Sequence, residues 1–278
     1  MWIKTQMHFK HLDISNAGIS DGVPAWFWDL PRELAFLNIS SNEIKGTLPD
    51  MTSNFVGYPG IDLSNNRFEG RVPLLPPTLA ALNLSGNKFS GTLSFLCDID
   101  EALTFLDLSN NLLSRSLPDC WSNFQELLAL YLRKNSFVGE LPMSLSNCTK
   151  LRFADFGENK LSGIIPEWIG GKLSDLYVLV LGSNGFKGRL PSQICWLYSL
   201  QVLDVSNNGL SGNIPRCFHN FTAMARKSFG DGMTNHSYSS YLESIFFSVP
   251  GVFIPHIPCN VLVTLGGCPF PVHEEAHF

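Results

Sequence analysis

Five aspartates occupy equivalent places in a short recurring pattern of an apolar, a variable and a second apolar residue. They are Asp13, Asp62, Asp107, Asp155 and Asp204, and the copies between them carry Asn38, Asn83, Tyr131 or Val180. If the copies stack as parallel strands about 5 Å apart, acids on alternate copies lie about 10 Å apart. That separation is near the one that two carboxylates keep in an inverting glycosidase. Because no acid is distinct from the others, we expect solvated surface acids rather than a catalytic pair.

Histidine, the usual general base and metal ligand, is missing from the middle of the chain. All seven histidines lie outside residues 12–217, at His8, His11, His219, His236, His256, His273 and His277. The sequence has no Gly-x-Ser-x-Gly, phosphate-binding or Gly-x-Gly-x-x-Gly motif, and no Cys-x-x-Cys pair. We therefore predict no enzyme activity, no cofactor and no metal site.

The composition indicates a folded chain and gives no sign of binding to nucleic acid or to an anionic membrane. Of the 278 residues, 45% are hydrophobic and 15% are charged, and the formal net charge is −5. That balance gives no basic footprint for nucleic acid and no polybasic segment for an anionic membrane. The N-terminal residues lack the apolar core of a signal peptide. The apolar stretch 245–265 contains Pro250, Pro255 and Pro258, so we do not expect a membrane-spanning helix there.

The recurring pattern is the start of a longer repeat. Nine units begin with LDISNAGI, LNISSNEI, IDLSNNRF, LNLSGNKF, LDLSNNLL, LYLRKNSF, ADFGENKL, LVLGSNGF and LDVSNNGL. Their sixth residue is Asn in eight units, with Ala17 as the exception, and these positions follow one another at 25, 24, 21, 24, 24, 24, 25 and 24 residues. A Pro twelve residues after the start recurs in all units except the one with Ser94. A fixed period of this length predicts a solenoid.

Each repeated residue type has a structural role in such a stack. The apolar triplet predicts a short strand with two side chains inward and one outward. The inward asparagines can bond backbone groups that are freed where the chain leaves the strand. The Gly permits the turn that follows, and the Pro fixes φ on the way to the convex side. In the ninth unit we expect Leu203, Val205, Asn208, Leu210 and Ile214 to point inward.

The full pattern resembles the plant-specific class of extracellular leucine-rich repeats. The match runs from Leu12 to about Phe221 and includes GTLP, GRVP, GELP, GIIP, GRLP and GNIP at the right offset. Two longer stretches, LDISNAGISDGVPAWFWDL and LCDIDEALTFLDLSNNLLSRSLPDCW, are similar to plant receptor-like proteins of the type that perceives a fungal xylanase. A third, SLQVLDVSNNGLSGNIPRCFHNFTAMA, is similar to the segment before the non-repeat island of those receptors.

The resemblance implies a superhelical ectodomain, one membrane-spanning helix and no kinase domain, with signalling through partner receptor kinases. The full-length receptor would lie at the plasma membrane, with its repeats on the extracellular side. The cap cysteines, signal peptide, closing repeats and spanning helix of the family are missing from the sequence, and the likeness stops after Glu243. We therefore expect an internal or truncated fragment of a larger receptor.

Four cysteines are spaced for bonds between adjacent repeat units. Cys97 and Cys120 are 23 residues apart, and Cys195 and Cys217 are 22 apart. Residues about one repeat apart lie about 5 Å apart in a stack, so we predict the disulfides Cys97–Cys120 and Cys195–Cys217, which the family resemblance also implies. Buried free thiols are the alternative. Cys148 has no partner one repeat away, and the pairing of Cys259 with Cys268 stays open.

Five sequons support a secreted parent protein, since Asn-x-Ser/Thr is the acceptor of N-glycosylation. They are Asn38, Asn83, Asn147, Asn220 and Asn235. Asn38 and Asn83 fall on the outward strand position, where a glycan would cover part of the concave face. We therefore place a protein-binding surface further along the chain.

In the other units many outward residues are the small, uncharged Ser, Asn and Gly. Two consecutive units and the start of a third carry aromatic, charged or aliphatic residues there instead. The candidate ligand-binding residues are Tyr131, Arg133, Lys134, Phe153, Asp155, Glu158 and Val180. An aromatic residue, an Arg and acids together are typical of an interface hot spot. An ordinary charged surface with local ion pairs is the alternative.

These observations predict a single right-handed leucine-rich-repeat solenoid with one short parallel strand per unit on its concave face. Residues 1–11 would be part of a preceding repeat, 12–218 the nine repeats, and 219–278 a partly flexible, non-repeat tail whose apolar part covers the last repeat. The predicted function is a non-enzymatic recognition ectodomain of a plant immune receptor, which binds a protein or peptide. The alternatives are a secreted inhibitor of a microbial cell-wall-degrading enzyme and a nonfunctional truncated receptor.

Overall fold

Each repeat unit of the computed structural model crosses between two parallel sheets, and the structure describes residues 9–28, 34–53, 55–221 and 263–264. With strands numbered along the chain, the first sheet contains β1 (His11–Asp13), β2 (Leu34–Asn38), β4 (Phe55–Asp62), β6 (Ala81–Asn83), β8 (Phe105–Asp107), β10 (Ala129–Tyr131), β12 (Phe153–Asp155), β14 (Val178–Val180), β16 (Val202–Asp204) and β18 (Val263–Thr264). This sheet is the concave face of the predicted solenoid, and one repeat unit of the stack is called a rung below.

The pairing of neighbouring strands follows the alignment of the repeats. Leu106 of β8 stands beside Leu130 of β10, which stands beside Ala154 of β12. The same register continues through Leu179 and Leu203. The repeat spacing therefore determined the strand register correctly, and the solenoid fold is confirmed.

A second sheet forms another side of each rung, in addition to the one strand per rung that the sequence predicts. It contains β3 (Lys45–Gly46), β5 (Arg67–Arg71), β7 (Lys88–Gly91), β9 (Leu112–Arg115), β11 (Ser136–Gly139), β13 (Lys160–Ile164), β15 (Gly185–Gly188) and β17 (Gly209–Leu210). The prediction of a single strand per rung is wrong because the residues after the inward asparagine also extend and pair with the next rung.

The far side of each rung is a short helical turn. The helices are α1 (Ala25–Trp28) and α2 (Trp168–Lys172), and 3₁₀ turns cover Ser94–Asp98, Trp121–Asn123, Met143–Asn147, Ser192–Trp196 and Arg216–Asn220. A Cβ on Gly170 of α2 would lie 1.8 Å from the Gln193 carbonyl oxygen of the next rung. This α-helical turn therefore fits its neighbour only with glycine at that point.

The interior is one continuous apolar core. The inward leucines of the strands, such as Leu82, Leu106 and Leu130, are fully buried, and inward phenylalanines follow in the second sheet. Phe68 and Phe89 stack with ring centroids 6.1 Å apart. Burying an aliphatic or aromatic side chain contributes roughly 1.5–3 kcal/mol, and here the contacts that bury it come from the neighbouring rung.

Both predicted disulfides are present. Cys97 and Cys120 have Cα atoms 5.5 Å apart, and those of Cys195 and Cys217 are 5.8 Å apart. Cys148 is a buried thiol, and its burial raises the pKa to about 12. A thiol held protonated in this way is a poor nucleophile. Cys259 and Cys268 lie outside the described residues.

The last described rung differs from the prediction at one inward position. Ile214 is 55% exposed, whereas the equivalent Ile165 is buried. Ile165 is covered by the rung that follows it, and no full rung follows Ile214 among the described residues. At the same end of the first sheet, β18 pairs in parallel with β16, with Val263 beside Leu203. The covering of the last rung by the rest of the tail stays a prediction.

Candidate functional site

Each outward aspartate or asparagine of the first sheet forms a hydrogen-bonded turn at the end of its strand. In each case a side-chain oxygen accepts the backbone N–H two residues later, at 2.8–3.1 Å. The seven residues are Asp13, Asn38, Asp62, Asn83, Asp107, Asp155 and Asp204. Asp and Asn are favoured at such turns because their short side chains reach the backbone locally. The acidic pattern therefore has a structural cause, the turn at the end of each strand.

Three of these carboxyl groups are not the solvated surface acids expected from the sequence. Burial raises the pKa of Asp62, Asp107 and Asp155 to about 6, and the hydrogen bonds to Ser64, Ser109 and Gly157 oppose this shift. The neighbouring acids add repulsion, which also raises the pKa of Asp62 and Asp155. The alternation of acids with Asn keeps this repulsion small, since Asn83 Nδ2 donates to Asp62 Oδ2 at 3.3 Å.

The sequons differ in accessibility. Asn38 and Asn83 occupy the outward strand position as predicted but are only 4% and 1% exposed, which argues against the expected glycans there. Their amide groups lie against the neighbouring aspartates, with Asn38 Nδ2 donating to Asp13 Oδ2 at 3.1 Å. Asn147 lies exposed on a 3₁₀ turn. The side chain of Asn220 and the whole of Asn235 lie outside the described residues.

The structure brings the predicted ligand-binding residues together on rungs six to eight. Tyr131, Asp155 and Val180 are direct neighbours in the strand register. Arg133 forms ion pairs with Glu158 and, at 3.9 Å, with Asp155. The arrangement predicted as an alternative, a charged surface with local ion pairs, is therefore part of the structure.

Exposure separates these residues into two groups. Arg133 and Glu158 have side chains that are 44% and 42% exposed, Lys134 is exposed, and Val180 is half-buried. Tyr131 and Phe153 are buried, at 8% and 1% exposure, so their prediction as open contact residues is wrong. They fail as open contacts because they belong to a second apolar cluster on the concave side, with Phe36, Ala81, Phe105, Ala129 and Val178.

The concave face is accessible at its two ends and closed in the middle. His11 and Asp13 of β1 are exposed, Asp62 and Asp107 are 0% and 2% exposed, and Tyr177, Val202 and Asp204 are half-buried. Tyr177 and Val202 were not predicted as site residues. The signal for Val202 was available, because in a strand the residue before the inward Leu203 faces the same side as the residue after it. Tyr177 directly precedes β14, and strand alternation does not determine its direction.

Two glycines shape this surface. Most rungs have Ser two residues after the outward Asp or Asn, but rungs seven and eight have Gly157 and Gly182. A Cβ on Gly157 would lie 3.2 Å from the Arg133 guanidinium, and one on Gly182 would lie 2.7 Å from the Asp204 carboxylate. The glycines thus let a cation and an anion lie flat on the concave face, on either side of Val180.

No group of three or more His, Cys, Asp or Glu side chains within residues 9–28, 34–53, 55–221 and 263–264 could hold a metal ion. In the same part of the chain, none of the helices has the length and hydropathy to cross a bilayer.

Comparison with known proteins gives consistent matches. The family model "Leucine Rich Repeat" matches residues 102–124 and 199–221. Receptor-like protein EIX1 of Solanum lycopersicum is 46% identical over 198 residues, which are 63% of this chain and 19% of that protein. The chain thus spans about a fifth of the length of this curated relative.

Solved structures match the solenoid as a whole. The crystal structure of a TDR receptor superposes with a TM-score of 0.67 and 30% identity, over 73% of this chain and 36% of that one. The plant peptide hormone receptor RGFR1, in complex with RGF2, superposes with a TM-score of 0.66 and 30% identity, over 78% of this chain and 39% of that one.

Proposed function

Because the chain is a leucine-rich-repeat protein of the plant receptor-like type, we propose that its concave face recognises a protein or peptide. The observation that carries the proposal is the accessible surface of rungs six to nine. It combines a cation, anions, an aromatic ring and half-buried aliphatic side chains on and beside the strands. This mixture is typical of recognition surfaces rather than of bare scaffold.

The scaffold supports this role because neighbouring rungs hold its outward side chains in place. Val180 stands between Asp155 and Asp204 in the strand register. Arg133 is held by Glu158 and Asp155 before any ligand binds. Side chains that are already ordered lose less entropy on binding, which favours affinity.

The likeness to RGFR1, whose structure contains the peptide hormone RGF2, supports a peptide or protein as the partner. In the proposed role the chain is non-enzymatic and forms part of the extracellular side of a plasma-membrane receptor. Signalling would pass through partner receptor kinases, as the resemblance to receptor-like proteins implies.

Binding can be measured with two probes, a fungal xylanase and a display library of random linear peptides selected on the full chain. The test variant combines Arg133→Ala with Val180→Asn. Asparagine fits that position because Asn38 and Asn83 occupy it beside aspartates in earlier rungs, where their amides donate to those aspartates. The control combines Met143→Ala with Lys172→Ala, both exposed and on the convex side.

We expect affinity for the selected probes to fall at least tenfold in the concave variant, since hot-spot truncation removes more than about 1.4 kcal/mol. The convex variant should bind as the parent does. Unchanged affinity of the selected peptides or of xylanase for the concave variant would contradict the proposal. Loss of xylanase activity on binding would favour the inhibitor function instead.

A further inference from the structure

The outward face of the second sheet has a charge opposite to that of the whole chain. We call it the lateral face, and it consists of the outward side chains of β3 to β17 and of the residues directly flanking these strands. On the first rungs it exposes Lys45, Arg67, Arg71 and Lys88, and on the later rungs Arg115, Lys160, Lys187 and Arg189. Its acids are Glu69 and Glu140, and Glu43 lies beside it, paired with Arg67. This surplus of cations stands in a chain whose net charge is −5.

Strand alternation fixes these cations on the outside. Phe68, Phe89, Phe137 and Phe186 point inward from the same strands and are buried to 1% exposure or less. Two of the cations lie along the sheet surface. The Arg71 side chain passes 3.2 Å from the place of a Cβ on Gly91, and the Arg189 side chain passes 3.0 Å from that on Gly212. Glycine on the next rung therefore lets each Arg spread along the direction of stacking.

The array is long and narrow rather than clustered. Eight strands at about 4.8 Å spacing extend over about 34 Å, and the cations are distributed along this length. One of them, Arg67, pairs with Glu43 at 3.2 Å, and that pair is more than half exposed. Exposed pairs of this kind contribute little and exchange readily for another anion. A linear polyanion fits such an array better than a compact acidic protein.

The uncharged residues of the lateral face indicate which polyanion fits. They include the hydroxyl side chains of Ser90, Thr92, Ser114, Ser162 and Ser211, which can bond the hydroxyls of a sugar. The exposed aliphatic side chains of Leu112, Val138 and Ile164 lie among them. No outward position of these eight strands carries an aromatic ring. Proteins that bind single-stranded nucleic acid rely on aromatic stacking with the bases, so a nucleic acid is the weaker match.

From these observations we propose that the lateral face binds a linear polyuronate, a carbohydrate with one carboxylate per sugar, by lying along it. The Lys and Arg groups pair with the carboxylates, and the Ser and Thr groups bond the ring hydroxyls. The site is separate from the concave face and does not depend on the function proposed above.

The direct test is binding of polygalacturonate to the full chain, by calorimetry at low and at physiological salt. The variant is Lys187→Gln with Arg189→Gln, and a second variant on the same face is Lys45→Gln with Arg71→Gln. The matched control is Lys150→Gln with Lys172→Gln, which removes the same charge from the convex side. Thermal unfolding confirms that each variant folds.

We expect polygalacturonate to bind at low salt and to be weakened by added salt, because exposed charges are screened. Each lateral variant should lose affinity severalfold, the convex control should not, and neutral dextran should not bind. Equal losses in the convex control would reduce the effect to overall charge and overturn the site. Tighter binding of single-stranded DNA or of anionic phospholipid vesicles would overturn the carbohydrate assignment, as would no binding of polygalacturonate.

Discussion

Asn111 accepts the backbone N–H of Phe89 on its side-chain oxygen at 2.9 Å, although the two residues are 22 positions apart. Its amide nitrogen donates at the same time to the carbonyl oxygens of Leu84, Leu108 and Ser109 at 2.9–3.2 Å. One buried amide thereby satisfies backbone groups of two rungs. The same set of bonds recurs at Asn135, Asn159 and Asn184.

Replacing Asn111 with Ala should lower the free energy of unfolding by about 2–4 kcal/mol, because several buried backbone groups lose their partner. Urea unfolding followed by circular dichroism measures the change. Asn123→Ala, at an exposed position of a 3₁₀ turn, is the control and should stay within about 0.5 kcal/mol of the parent. Equal stability of both variants would mean that the ladder does not hold the rungs together.

Gly170→Ala should destabilise the chain strongly, since the new Cβ would lie 1.8 Å from the Gln193 carbonyl oxygen. We expect a loss of about 3 kcal/mol or more, because a backbone contact cannot move aside without separating two rungs. Gly171→Ala is a matched control in the same helix, where the nearest atom is 3.6 Å away in the Trp196 ring. That variant should be neutral or slightly stabilised through the helix propensity of Ala. Similar melting temperatures for the two variants would refute the close packing of α2.

The buried concave acids should make stability depend on pH. The pKa of Asp62 and of Asp107 is about 6 in the folded chain, above the ordinary value of 3.8. A raised folded pKa favours the protonated form, so the free energy of unfolding should increase as pH falls from 7 to 5. Each pKa unit corresponds to about 1.4 kcal/mol.

Asp107→Asn removes this penalty and keeps a side-chain oxygen for the Ser109 N–H. It should be more stable than the parent at pH 7 by up to about 3 kcal/mol, with a smaller change between pH 7 and 5. Asp119→Asn, at an exposed position, should leave the pH dependence unaltered. A parent chain that becomes less stable between pH 7 and 5 would contradict the burial of these acids.

Lys134 has a left-handed backbone conformation, with φ +56°, at the position before the inward asparagine. The equivalent Asn16, Asn65, Asn110 and Asn207 have φ of +49° to +52°. Asn tolerates this region better than Lys, so Lys134→Asn should raise the free energy of unfolding by about 1 kcal/mol. Lys160→Asn, in an extended strand, should give no such gain. A loss of stability in Lys134→Asn would show that the lysine side chain stabilises this rung by its own contacts.

The sequence was most informative wherever one residue type recurs for one physical reason. The stacked leucines, the asparagine ladder and the disulfides Cys97–Cys120 and Cys195–Cys217 followed from spacing alone. The second sheet did not, because its strands alternate Phe or Leu with Ser, Gly and charged residues. That pattern looks like a loop until the next rung supplies its partners.

The candidate site was only partly predictable for a related reason. Strand alternation predicts that Val180 faces outward, and Arg133 and Glu158 are accessible beside the strand ends. The role of these three residues in binding stays a prediction. The exposure of the aromatic side chains was not predictable, because Tyr131 and Phe153 are buried by neighbours on several rungs at once. The basic lateral face was hidden by the net charge of −5, which averages this face with the acids elsewhere in the chain.

The most direct test of the stacked architecture is hydrogen exchange at the backbone N–H groups that donate to ladder asparagines. These groups belong to Phe89, Leu113, Phe137, Leu161 and Phe186. Shared stacking predicts that all five exchange as slowly as the strand amides of the first sheet, and that all five lose protection together in Asn135→Ala. Exchange at the rate of an open loop in the parent chain would contradict the shared interior on which the account depends.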